Sequence, residues 1–255
     1  MKDLRFKLLT VGSNLFNVLY YVPKMNRWNN HPEKHTMEER YALAKEIMTK
    51  LRTHSKTTTD IYGLENLPKA EDGGYIMYAN HQGRYDALGI LLSHEEPCSA
   101  LWIEHSAKKF LARHVCKLID GKTIDTDKML ETARTLRELT NEVIEGRKYL
   151  IFPEGMYDDN RNTLHEFKHG CFTCSLRSKT PIVPVTVYDS WKSMNTNSFK
   201  RVKTQVHYLK PIPYEEYGHL KPTEIAELVK SRIQEKLDEI SNGLVPEESK
   251  NYEIK

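Results

Sequence analysis

The sequence predicts an α/β fold: a single domain with a mixed, largely parallel central sheet flanked by helices and preceded by an N-terminal helical segment. Three observations predict it. From residue 57 onward, short β-rich runs alternate with helix-period segments. The 255 residues can bury one sizeable core and show no second composition regime or long linker. Mean hydropathy is −0.63. No window approaches ~20 consecutive apolar residues, which excludes a polytopic membrane protein.

The first apolar stretch, 6–22 (FKLLTVGSNLFNVLYYV), is interrupted by Lys7, Ser13, Asn14 and Asn17. It is too short and too polar to span comfortably, and it carries no small-residue cleavage site. Lys2, Arg5 and Lys7 stand at its start and Lys24 and Arg27 follow it, which suits a helix lying on an anionic lipid surface with Tyr20, Tyr21 and Trp28 near the headgroups. A core-docking helix with solvated basic ends fits the same pattern. Thr36 and Glu39 have capping-box spacing, and Met37, Tyr41, Ala44, Met48 and Leu51 form one apolar stripe, so a helix over 37–53 follows.

Strands are expected at 57–62, 75–79, 98–103, 148–152, 182–188 and 203–209. A helix over 127–145 carries Met129, Ala133, Leu136 and Val143 on one side and stops at Gly146. The last helix, 223–241, carries Ile225, Val229, Ile233, Leu237 and Ile240 and is followed by Gly243. Pro181 and Pro184 suit a strand start or a sheet edge. The end of the chain, 246–255, is expected to fray. The organisation is one domain over 1–255: a helical, membrane-associating lead-in at 1–54, an α/β core at 55–243 and a tail at 244–255.

The net charge of +3 is unevenly spread. Residues 1–60 hold eleven Lys/Arg against six Asp/Glu, a net of +5, which leaves −2 on the remainder. With a negative core and no basic-aromatic stripe, nucleic acid is not an expected partner. Cys98, Cys116, Cys171 and Cys174, without a secretory leader, read as reduced thiols of a cytoplasmic protein. Cys171 and Cys174 form a lone C-x-x-C near His165 and His169; zinc sites usually need a second pair, so a half-buried helical face is the expected use and no metal is assigned.

The strand at 75–79 runs into Asn80-His81-Gln82-Gly83-Arg84-Tyr85-Asp86. A carboxylate that accepts from one imidazole nitrogen leaves the other free to take a proton. Five residues on a regular helix would put the two side chains about 140° apart. His81 is therefore expected in a turn ahead of the helix that carries Asp86, with Gly83 allowing the turn. The pair alone also reads as a loop histidine and a helix N-terminal charge, since chance supplies about 0.5 such pairs in this composition. Its place at a strand end raises its weight, because ligands of open α/β sheets bind there.

A second strand ends in Phe152-Pro153-Glu154-Gly155, followed by Phe167-Lys168-His169-Gly170 and then Pro181-Ile182-Val183-Pro184-Val185. In this order the blocks NHxxxxD, FPEG, FKxG and PIVPV resemble the glycerolipid acyltransferase family, over about residues 57–190. Tyr62-Gly63-Leu64-Glu65-Asn66-Leu67-Pro68 is similar to that family's entry to its core. Two features depart from it: Ile124-Asp125 is followed by Thr126 rather than Arg, and FPEG is followed by Met156-Tyr157-Asp158 rather than Thr-Arg-Ser. Arg84, Lys128, Arg161 and Lys168 are the cations available to replace the two arginines.

The resemblance implies transfer of an acyl group from a thioester, on coenzyme A or acyl carrier protein, to the free hydroxyl of 1-acyl-glycerol 3-phosphate, giving phosphatidic acid at the cytoplasmic face of a membrane. His81 is then the general base and Asp86 its orienting carboxylate. The substrate-binding residues are Arg84, Phe152, Pro153, Glu154, Gly155 and Lys168. Glu154 suits either a contact to the acceptor or a cap on backbone N–H groups. The N–H groups opening a helix at 84–95 are candidate oxyanion donors. No cofactor beyond the thioester is expected, there being no nucleotide loop. Partners are the lysophospholipid, the acyl donor and a membrane surface met by residues 1–30, as a peripheral or monotopic protein. A thioesterase using the same His-Asp pair, or a non-catalytic lipid-surface module, are the competing readings.

Overall fold

The computed structural model describes residues 15–158, 160–196 and 199–255, with side chains from Leu19 onward. The β-branched and aromatic runs form β1 (Thr57–Tyr62), β2 (Tyr75–Ala79), β3 (Cys98–Ile103), β4 (Lys122–Ile124), β5 (Lys148–Ile151), β6 (Ile182–Tyr188), β7 (Val202–Tyr208) and β8 (Tyr252–Ile254). The helices are α1 (Leu15–Asn30), α2 (Met37–His54), α3 (Asp86–Ser93), α4 (Glu104–Ala107), α5 (Phe110–Leu118), α6 (Met129–Ile144), α7 (Thr173–Ser178), α8 (Trp191–Met194), α9 (Tyr214–Tyr217) and α10 (Pro222–Ser241). One sheet takes the strands in the order β4-β3-β5-β2-β6-β7-β1-β8. The pairs are parallel except β6 with β7 and β1 with β8.

The two-residue period of the strands builds two cores. Tyr75, Met77 and Ala79 of β2 face α1, α2, α3 and α5, whereas Ile76 and Tyr78 face α6, α7 and α10. Continuous apolar strands such as β2 and β6 are what a sheet covered on both faces requires. The predicted capping box of α2 is formed: Thr36 Oγ1 accepts from Glu39 N–H and the Glu39 carboxylate from Thr36 N–H.

Four expectations are corrected. The chain end does not fray: β8 pairs antiparallel with β1, Thr59 opposite Ile254. Pro184 lies inside the sheet rather than at an edge. Its carbonyl accepts from Leu209 N–H, just past the end of β7 at Tyr208, so proline costs the sheet only the one return bond at the frayed end of that pairing. In α6 the buried side chains are Leu139, Thr140 and Val143, all in its second half, whereas Met129 at its start is 82% exposed. Finally, the sheet holds a strand that none of the six expected runs covers, β4 at Lys122–Ile124, and His94, His114 and His207 are buried.

Of the 6–22 stretch, residues 6–14 lie outside the described residues. From Leu15 the chain is helical, with Tyr21 and Met25 buried against α2 and α5 and Leu19 and Tyr20 more than 60% exposed. Among the described residues no helix is long and apolar enough to cross a membrane.

Candidate active site

Because β2 and β5 are parallel neighbours, with Tyr78 opposite Ile151, the segments leaving their carboxyl ends meet. Asn80 fixes the exit from β2: its amide nitrogen donates to Val187 O at 3.0 Å and its oxygen accepts from Val187 N–H at 2.8 Å, extending the ladder to β6 by a side chain. His81 follows in a turn and Asp86 opens α3, as the angular argument requires. Gly83 is needed here for space rather than for a left-handed backbone, since a Cβ would stand 2.5 Å from the Asn195 amide.

His81 Nδ1 lies 2.7 Å from Asp86 Oδ2. The same oxygen accepts the N–H groups of Gln82 and Gly83, and Ser190 Oγ donates to Oδ1. A fully buried carboxylate with four donors is held as an acceptor, so Nδ1 of His81 carries the proton and Nε2 is left basic. The imidazole is stacked on Phe152, centroids 4.2 Å apart, with Tyr157 edge-on at 4.6 Å. The main-chain N–H of His81 donates to Glu154 Oε1 at 2.7 Å, and its carbonyl accepts from Asn160 Nδ2 at 3.0 Å.

His81 stands on the wall of a cavity of about 930 Å³. The wall is mostly apolar, drawn from Met25 of α1, Met48 of α2, Leu88 of α3, Trp102 of β3 and Phe110 of α5. Arg84, Lys168, Lys50 and Lys109 are its cations. The arrangement offers one basic nitrogen between a cationic rim and an apolar chamber, which suits proton abstraction from a hydroxyl of an amphiphile.

A family model described as Acyltransferase matches residues 58–188, more than half of the chain. The chain belongs to the acyltransferase family. This acyltransferase is 27% identical over 184 residues to the 1-acyl-sn-glycerol-3-phosphate acyltransferase of Escherichia coli, which covers 69% of this chain and 72% of that one. It is 32% identical over 190 residues to the Saccharomyces cerevisiae protein of the same name, covering 71% of this chain and 60% of the other. The crystal structure of the 1-acyl-sn-glycerophosphate (LPA) acyltransferase PlsC of Thermotoga maritima superposes with a TM-score of 0.70 at 19% identity, covering 94% of this chain and 98% of that one, a likeness of fold.

The acyltransferase brings its predicted residues together with different roles. His81, Arg84, Phe152, Pro153, Gly155 and Lys168 line the cavity, whereas Asp86 and Glu154 sit behind it. Of the two uses open for Glu154, the structure shows the cap on backbone N–H groups: Oε1 accepts from His81 N–H and Oε2 from His165 N–H at 2.9 Å. Burial pushes its carboxyl above the usual range, opposed by these N–H groups. Gly155 has φ +76°, open to glycine, and its Cα faces the Lys168 side chain, where a Cβ would lie 3.0 Å from Nζ.

Of the other cations considered, Lys128 is within 4 Å of Asp125 and Glu131, and Arg161 lies 5.1 Å from the Trp191 ring; neither lines the cavity. Of the N–H groups at the start of the expected 84–95 helix, that of Arg84 donates to Asn195 Oδ1 and that of Asp86 to Gly83 O, while those of Gln82 and Gly83 just ahead of it go to Asp86. Cys171 Sγ donates to Lys168 O, Cys174 is buried with its thiol pushed up to about 11, and among the described residues no three His, Cys, Asp or Glu side chains are grouped to hold a metal ion. Sequence reasoning missed Asn80, Gln82, Asn160 and Ser190. Asn80 and Gln82 were visible inside the first motif, but Ser190 reaches Asp86 only through the sheet, and no local pattern marks it.

Proposed function

We propose that this acyltransferase moves a fatty acyl group from an acyl thioester to the free hydroxyl of 1-acyl-glycerol 3-phosphate, giving phosphatidic acid, at the cytoplasmic face of a membrane. The observation that carries the reading is His81, oriented by Asp86, on the wall of an apolar cavity rimmed by Arg84 and Lys168. The curated relatives named for this reaction support the choice of acceptor.

His81 Nε2 takes the hydroxyl proton as the acceptor oxygen attacks the thioester carbonyl. The C–O bond forms, the tetrahedral centre collapses, the C–S bond breaks and the imidazolium returns its proton to the leaving thiolate. Asp86 stabilises the imidazolium between these events. Arg84 and Lys168 take the acceptor phosphate, the first as a planar fork and the second as a point charge. The acyl chain lies among Met48, Leu88 and Trp102, and the step calls for no cofactor beyond the thioester. The exposed Leu19 and Tyr20, with Lys24 beside the Tyr20 and Trp28 rings, support contact of α1 with lipid.

The test gives purified protein a long-chain acyl thioester with and without lysophosphatidate and follows free thiol and acylated product together. Equal thiol and product, both dependent on the acceptor, are expected. Thiol release that ignores the acceptor makes the protein a thioesterase, and neither signal with vesicle binding retained makes it a binding module.

A further inference from the structure

The geometry points to a second lipid-contact surface, formed by Met129, Leu130 and Phe110 with Lys109 and Arg113, that seats the cavity rim on an anionic bilayer. It rests on the acyltransferase reading, which places the acceptor in a membrane.

Met129 and Leu130 are consecutive, large and apolar, and they are 82% and 88% exposed; Phe110 is 51% exposed. The sheet places them on the working side of the molecule. Strands β4, β3, β5 and β2 run parallel in that order, so the segments that leave their carboxyl ends emerge at one edge. His81 leaves β2 there, Phe152 leaves β5, and the loop into Met129 leaves β4. Thr126 and Thr132, on either side of the exposed pair, both line the cavity, as do Phe110 and Lys109. The apolar tips therefore stand on the rim of the chamber that holds the basic nitrogen.

The core does not call for apolar side chains at these positions, since the first fully buried side chain of α6 is Leu139. An anionic bilayer is the fitting occupant. Single protruding side chains suit insertion among acyl chains, and segment 104–113 adds three Lys/Arg against one Glu beside them. Asp125, Asp127 and Glu131 flank the apolar pair and Lys128 offsets one of them, so the basic side of the surface is the 104–113 segment alone. With the rim in the headgroup layer, an acyl chain passes between bilayer and cavity without crossing water.

The test compares the full chain with Met129→Ser/Leu130→Ser. Both positions are exposed, so an unchanged Tm is expected. Sedimentation with phosphatidylglycerol–phosphatidylcholine vesicles should weaken by about 10-fold or more. Transfer to lysophosphatidate embedded in vesicles should fall with it, while transfer to a short-chain acceptor dispersed as monomers holds. Unchanged sedimentation overturns the surface. Unchanged sedimentation with a loss confined to acyl carrier protein thioesters overturns it too and assigns the patch to that protein. If the unsubstituted chain transfers to neither acceptor, the acyltransferase reading falls, and sedimentation alone then decides for or against the surface.

Discussion

Glu154 Oε1 accepts the main-chain N–H of His81 at 2.7 Å, so the carboxylate of one sequence motif holds the backbone of the other. A buried carboxylate with two main-chain donors is a positioning group. Glu154→Ala should leave both N–H groups without a partner and cost about 2 to 5 kcal/mol of stability. The kinetic signature separates this role from acceptor binding. At a temperature where the variant is folded, kcat should fall while the acceptor KM holds; a rise in KM with kcat unchanged would return Glu154 to the binding site.

His81→Ala should lower kcat by about 10² to 10⁴ with an unchanged Tm, because a positioned base contributes on that scale. Native turnover in this variant would refute the mechanism. Ser190→Ala should lower kcat by less than Asp86→Ala does, since Asp86 then keeps three of its four donors.

Arg84→Ala and Lys168→Ala should each raise the acceptor KM more than the donor KM. Removing a charge-assisted bond to phosphate costs about 1.5 to 3 kcal/mol, or roughly 10- to 100-fold. If both leave the acceptor KM in place, the phosphate lies elsewhere on the rim, with Lys50 and Lys109 as the remaining cations of the wall.

Two histidines far from the motif set the acid limit of the fold. Burial lowers His94 to about 4 and His207 to about 3. His94 is held neutral, with Nδ1 donating to Glu96 O and Nε2 accepting from Tyr75 Oη. Both folded values lie below the unfolded one, so each neutral ring contributes full stability above pH ~6.5, and that contribution is lost as pH falls toward the folded value. Between pH ~6 and ~4 the pair should lower unfolding free energy by about 2 to 3 kcal/mol per pH unit. Urea titrations across that range check the slope, and His94→Gln should flatten it.

The reach of the sequence follows from what is local. The strand runs, the capping box at Thr36 and the turn between His81 and Asp86 depend on neighbours a few residues apart, and all were legible. Gly63 has φ +74°, and a Cβ there would meet Tyr208 O at 2.1 Å, a contact made across the fold rather than along the chain. What escaped depends on strands far apart in sequence. β4 is three residues long and carries one apolar side chain, too little to register as a strand until β3 pairs with it. Glu154 looked like a ligand because nothing near it in sequence supplies its donors, which come from His81 and His165.

The chain end offers the sharpest test of a non-local element. β8 pairs with β1, Asn251 N–H donates to Ile61 O, Asn251 Oδ1 accepts from Leu64 N–H, and Tyr252 Oη donates to Ser93 O. Lys250 and Lys203 both lie beside the carboxylate of buried Asp60, so removal of the tail leaves that charge with one of its two cations. Truncation after Gly243 should therefore cost about 3 kcal/mol or more, from lost ladder bonds and the uncovered edge of β1. The sheet order sets β8 four strands from β2, so kcat of the folded fraction at low temperature should match that of the full chain. A truncated protein with the same urea midpoint as the full chain would mean that β8 adds nothing to the fold, whereas a lower midpoint with a lower kcat would mean that the β8 edge is coupled to the site at the end of β2.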